Sequence, residues 1–127
     1  MNTNFSDFND NAAKQRIIQE LVPGKQITLA HIIANPDDIL YQKLGLDPAV
    51  DYASSAIGIV TMSPAETAII AGDIAIKSSG VVLGFLDRFS GTLIVTGRYS
   101  DVESALIALT DYCRETLGFS VCPITKT

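Results

Sequence analysis

The residues able to carry acid–base, nucleophilic or metal chemistry are few and scattered in this 127-residue chain. His31, the single histidine, stands in QITLAHII, an apolar and β-branched run. An imidazole there reads as a satisfied core or interface histidine, with no second group to make it a catalyst. Cys113 and Cys122 form no CxxC pair and read as two reduced, partly buried thiols. Asp73 and Lys77 are four apart on a predicted helix, the spacing of a surface ion pair worth roughly 0.3 kcal/mol. No GxSxG, P-loop, HExxH or paired Cys/His spacing is present. The expectation is therefore no catalytic residue, no metal site and no cofactor. One stretch stands out: Asp87-Arg88-Phe89-Ser90-Gly91 puts Arg and Phe at a hairpin turn, where Asn-Gly or Asp-Gly is ordinary. Two readings stand. Phe89 folds back on its own domain, or the loop forms a contact or lines a pore in an oligomer.

The elements that would position these residues fit one domain. Charged residues are 18% of the chain, below the usual ~25%, and mean hydropathy is positive. No apolar run approaches the ~20 residues of a membrane span. So little charge for so much surface points to self-association. The net charge of −5 with no basic run argues against nucleic acid, and no signal-peptide pattern opens the chain.

Residues 1–15, rich in Asn and Asp, read as a mobile polar tail. Arg16-Ile17-Ile18-Gln19-Glu20-Leu21-Val22 predicts a strand, broken by Pro23-Gly24, and Gln26 to Ile33 predicts a second. A short helix should follow, with Asn35 as cap and Pro36 at its first position, ending near Gly45. Residues 46–55 read as a loop. Ala56 to Met62 predicts a strand. Ser63-Pro64-Ala65-Glu66 reads as a capping box opening a helix that runs to about Ser79. Strands are expected at Val81–Leu86 and Thr92–Thr96. Ser100-Asp101-Val102-Glu103 reads as a second capping box, opening a helix with Val102, Ala105, Leu106, Leu109 and Cys113 on one face. Phe119 to Ile124 should close as a strand. Residues 56–124 thus follow the β-α-β-β-α-β order of a ferredoxin-like α+β fold, with two helices on one face of an antiparallel sheet. The strands and helix ahead of it are extra to that unit.

Gly84-Phe85-Leu86-Asp87-Arg88-Phe89-Ser90-Gly91, together with RIIQELVPGKQITLAHIIA over 16–34, resembles the circularly permuted shell proteins of bacterial microcompartments, of the kind found in ethanolamine-, propanediol- and choline-utilisation compartments. The resemblance spans about residues 16–127. It implies a permuted BMC domain in which the segment from His31 to Pro36, last in unpermuted members, stands near the N-terminus. It implies that Arg16 to Lys25 gives one strand to a six-stranded barrel over a hexamer axis, that Asp87 to Gly91 lines the sixfold pore, and that Lys77 is the edge lysine packing hexamer on hexamer. Asn35 stands where the unpermuted pattern has Arg, so this resemblance implies a different lateral contact there. The tail 1–15 and the loop from Val50 to Ser55 look longer than in those relatives.

The resemblance implies a structural, non-enzymatic subunit: a homo-hexameric tile of a cytoplasmic compartment shell enclosing an aldehyde-generating catabolic pathway. Its partners would be other shell proteins and encapsulated enzymes, with neither nucleic acid nor membrane among them. The competing expectation is a ferredoxin-like regulatory domain binding a small molecule between protomers.

Overall fold

The computed structural model describes residues 24–127; the tail 1–15 and the strand expected over Arg16–Val22 lie outside the described residues. Six strands and three helices follow in the order β1 (Gln26–Ile33), α1 (Asp38–Lys43), β2 (Ala56–Ser63), α2 (Thr67–Ser78), β3 (Val82–Asp87), β4 (Thr92–Gly97), α3 (Tyr99–Glu115), β5 (Ser120–Val121) and β6 (Thr125–Lys126). They build one sheet ordered β3-β4-β2-β1-β5, with β6 also paired to β1. The α+β class and the β-α-β-β-α-β order from β2 onwards are present.

The sheet differs from the expected one at its last strand. β1 pairs antiparallel with β2, Ile33 opposite Ile57 and Gln26 opposite Ser63. With β2 already paired on both sides, by β1 and β4, the chain leaving α3 cannot pair with β2 and takes the outer edge of β1. It joins there in parallel, as two short strands in place of one over Phe119–Ile124. The sheet is therefore not wholly antiparallel, and the strand that completes the ferredoxin-like set comes from the N-terminal side. Backbone bonds from Ser120 N to Lys25 O (3.0 Å) and from Thr127 N to Ile32 O (2.9 Å) fix this edge.

α2 and α3 cover one face. The predicted stripe of α3 is buried, from Val102 through Leu106 and Leu109 to Cys113, and each buried leucine contributes about 2 kcal/mol of transfer free energy. Ala68, Ala71 and Ala75 let α2 lie close to the same face. Gly58 sets how near α3 can come: a Cβ there would sit 2.8 Å from Val102 Cγ1 and 2.9 Å from Leu106 Cδ1. The other face carries a smaller cluster, Tyr41, Leu46, Ile57 and Ile94, capped by α1 and the loop behind it.

All three expected helix starts move. Ser63 cannot cap α2, because it is the last residue of β2 and pairs with Gln26. The chain turns through 64–66 and α2 begins at Thr67, whose hydroxyl donates to Pro64 O at 2.6 Å. α3 starts at Tyr99, so Ser100 lies inside it; Glu103 receives the Tyr99 hydroxyl (3.3 Å) and closes no capping box. In α1 the cap is Asp37, accepting from Ile39 N at 3.1 Å. The chain at Ala34 is still held to the sheet, its N–H donating to Thr127 O at 2.9 Å.

Candidate functional site

The hairpin between β3 and β4 is closed by backbone bonds, with the Asp87 and Ser90 side chains bonding inside the turn. Gly91 N donates to Asp87 O (2.9 Å) and Met62 N to Gly91 O (2.9 Å), which lashes the turn to the end of β2. Gly91 has φ +76°, and a methyl group there would collide with the Met62 carbonyl oxygen, so only glycine fits. Asp87 Oδ1 accepts from Phe89 N at 3.0 Å. That bond, then the Ser90 hydroxyl, holds the Asp87 carboxyl below its ordinary range. The carboxylate is thus engaged by its own loop. Arg88 lies over Phe89, guanidinium 4.9 Å from the ring centroid, and Phe89 is 80% exposed. Of the two readings of this loop, folding Phe89 back into its own domain is not what the chain does.

The sheet register fixes which residues share an end of the molecule. Gln26 lies opposite Ser63, Thr61 opposite Thr92 and Thr92 opposite Asp87. Gly24, where the described chain begins, is therefore at the hairpin end. Ile33, Ala56, Gly97 and Val82 mark the opposite end, since Ile33 pairs with Ile57, Ala56 with Gly97 and Val82 with Thr96. α2 leaves β2 at the hairpin end and finishes by β3 at the far end. This carries Lys77 to the end where Asn35 follows β1, and both side chains are exposed. Lys77 Nζ is 2.9 Å from Asp73 Oδ2, the expected ion pair, with both partners too exposed for it to matter to stability. The residues expected at a pore and those expected at an edge thus lie at opposite ends, and the strand expected over Arg16–Val22 is outside the described residues.

The remaining candidates hold structure. His31 is half-buried, with Nδ1 2.6 Å from Thr125 Oγ1 and Nε2 3.0 Å from Thr127 Oγ1; both ring nitrogens tie the segment 125–127 to β1. The Cys113 thiol is buried and pushed up to about 11 by desolvation, and Cys122 is half-buried and free. Among the described residues no cluster of three or more His, Cys, Asp or Glu is placed to hold a metal ion. No helix there is long and apolar enough to cross a membrane.

One feature escaped sequence reasoning. Tyr41 and Tyr52 stack, ring centroids 4.5 Å apart at 7°, beside a cleft between α1 and the loop behind it. The only signal was two tyrosines and several aspartates in a stretch read otherwise as turn and loop.

The BMC domain model matches residues 56–125, more than half of the chain. The microcompartment shell protein PduU of Salmonella typhimurium is 55% identical over 112 residues, 88% of this chain and 93% of that protein. EutS of Escherichia coli, a protein of the same description, is 50% identical over 113 residues, 89% of this chain and 97% of that one. Among solved structures, the CutR flat hexamer (form 1) superposes with a TM-score of 0.75 at 47% identity, covering 89% of this chain and all of that one. A CutR screw of 41.9 Å pitch superposes at 0.73 and 45% identity, covering 83% of this chain and all of that one. The domain match begins at β2, yet β1, ahead of it, occupies the place beside β2 that completes the sheet. The chain therefore belongs to the BMC-domain family, as one of the circularly permuted shell proteins of bacterial microcompartments.

Proposed function

We propose that this shell protein is a non-catalytic tile in which six copies close a ring, with the hairpins Asp87–Gly91 around the axis and Lys77 and Asn35 on the rim. The strand Arg16–Val22 from each copy closes a six-stranded barrel over that axis, so that residues 16–127 act as one unit and 1–15 as an appended tail. The enclosed chemistry is an aldehyde-generating catabolic pathway such as ethanolamine, propanediol or choline utilisation. Other shell proteins tile beside this one, and encapsulated enzymes lie behind it.

The observation that carries this reading is the polarity of the domain. An exposed aromatic hairpin and the entry of the N-terminal segment share one end, while both rim residues share the other. A ring needs that arrangement, since one end of each wedge must converge on the axis. An isolated RIIQELV strand has two unpaired edges, and closure with five others removes them. The identity to a protein that forms flat hexamers supports the number six.

Sedimentation velocity and negative-stain microscopy test it. The expected particle is about 82 kDa, six chains of 13.6 kDa, seen as a closed ring. A monomer at micromolar concentration would sink the proposal. Filaments of indefinite length would show that the same interface turns as a screw and does not close.

A further inference from the structure

The side of the domain bounded by α2 and β3 is apolar where a free surface would be polar. β3 stands at one end of the sheet order and pairs with β4 alone, so its outer edge is open among the described residues. Free edge strands are ordinarily protected by a lysine, a proline or an inward-pointing charge. Val81 to Leu86 contains none of these. α2 departs from the ordinary in the same way. Its charged residues are Asp73 and Lys77, which pair with each other, and its other exposed positions include Ile69, Ile70 and Ile76. A helix apolar on nearly every side belongs in a buried place. Of the twelve large apolar side chains left exposed among the described residues, six belong to α2 and β3.

These side chains form a strip. Ile69 lines a groove with Leu86 and Asp87, so it leans over the free edge of β3. Ile76 is seven residues on, and so on the same side of the helix two turns along. Between them, a Cβ built on Gly72 would lie 3.8 Å from Leu83 Cδ1, which sets Leu83 against the helix midway. α2 runs from the hairpin end of the sheet to the end that carries Lys77. The strip therefore spans the domain from the proposed axis to the proposed rim, the line along which one wedge of a ring meets the next.

Rotational closure joins two different surfaces of the chain. The other flank is the far edge of the sheet, where β5 and β6 line β1. Lys126 Nζ is 3.6 Å from Glu103 Oε2, so the Glu103 side of α3 faces that edge. Ile107, one turn further on the same side, is 46% exposed. Resting on the ring proposed above, we infer that it closes head to tail: Ile69, Ile76 and Leu83 on the α2–β3 flank of one copy pack on the α3–β6 flank of the next, around Ile107.

The test is sedimentation equilibrium of the full-length chain. The parent should give the six-chain particle. Ile69→Glu with Ile76→Glu should stay monomeric, 13.6 kDa, at about a hundredfold the concentration at which the parent assembles, and so should Ile107→Glu. Both should keep the circular dichroism of the parent, since the altered side chains are exposed in the single chain. Ile70→Glu is the control: exposed on the same helix but turned about 100° from Ile69, it should assemble as the parent does. An equimolar mixture of I69E/I76E with I107E leaves one intact flank on each chain, and should give pairs of about 27 kDa, two chains of 13.6 kDa, that grow no further. A parent that is itself monomeric sinks the ring and this contact with it. A parent ring that survives in either I69E/I76E or I107E leaves the ring standing and overturns the contact. Disruption by I70E as strong as by I69E/I76E overturns it too, as does a mixture that stays monomeric at about 1 mM. If the double variant does not fold, Ile76→Glu alone takes its place, both by itself and in the mixture.

Discussion

The two ends of the sheet are built by different means. At the hairpin end the shape comes from backbone: the Gly91 N–H to Asp87 O bond and the Met62 N–H to Gly91 O bond close and anchor the turn, and glycine supplies the positive φ. Two short side chains assist, Asp87 accepting from Phe89 N and the Ser90 hydroxyl donating to Thr92 Oγ1, while Phe89 stands 80% exposed. At the far end the connection 34–55 carries only a six-residue helix. Its shape depends on side chains: the tyrosine stack, two phenol-to-carbonyl bonds, and Leu46 set against Ile57 and Ile94. A backbone-built turn can change its exposed residues without losing its form, which suits a surface facing other copies. A loop held by side chains ties its sequence to its shape.

The sharpest way to break that contrast is Gly91→Ala. The methyl group would need the left-handed region, costing about 1–2 kcal/mol. It would also meet backbone on two sides, the Met62 carbonyl oxygen and, at 3.0 Å, Ala65 Cα. Backbone cannot swing aside as a flexible side chain can. The expected loss is about 3 kcal/mol or more, read as a large fall in melting temperature or as insoluble protein. A variant that melts like the parent would mean that the turn is not fixed by backbone.

Tyr41→Ala tests the other end. It removes a buried ring, its stack on Tyr52 and a hydrogen bond, at a cost of about 3 kcal/mol. The loss should stay local: amide exchange should quicken over residues 38–55, while β1, β2 and β4 keep their protection. Uniform loss of protection would show that this end is not separable from the sheet. Tyr41→Phe keeps the ring and should cost about 1 kcal/mol, through the Ser55 carbonyl left without its donor.

The sequence made some of this legible, for physical reasons. β1 was readable to the residue because Gln26 to Ile33 is β-branched and apolar between a Pro-Gly break and Asn-Pro. The buried face of α3 was readable because its period is helical. The cap positions were not. Ser63, Ser100 and Asn35 are good caps in isolation, but Ser63 is retained by strand pairing, the chain at Ala34 by Thr127, and α3 begins one residue before Ser100. The C-terminal strands were misplaced because their partner is chosen by an event distant in sequence, the filling of the slot beside β2 by β1. The Tyr41–Tyr52 stack was invisible because Tyr41 belongs to a helix and Tyr52 to a loop, and only the tertiary fold brings them together. Phe89 was recognised as out of place in a turn, but its exposure required the coordinates.

The smallest expected effect on the folded chain is the one that bears most on assembly. Phe89→Ala removes a large ring, but that ring rests on little besides Arg88, 4.9 Å away. Truncating an exposed side chain seldom moves stability by more than about 0.5 kcal/mol, so the unfolding of the protomer should be unchanged. The turn should also survive, because none of its hydrogen bonds uses the phenyl group. With the hairpins around an axis, six aromatic rings would be lost from one place, and a high-resolution image of the assembly should show an enlarged axial opening at unchanged mass. An unchanged axis, with the lost density found at the outer rim, would reverse the polarity assigned to the domain. A fall of several degrees in melting temperature would show instead that Phe89 packs on a neighbouring copy, placing the hairpin at a subunit contact and away from the axis.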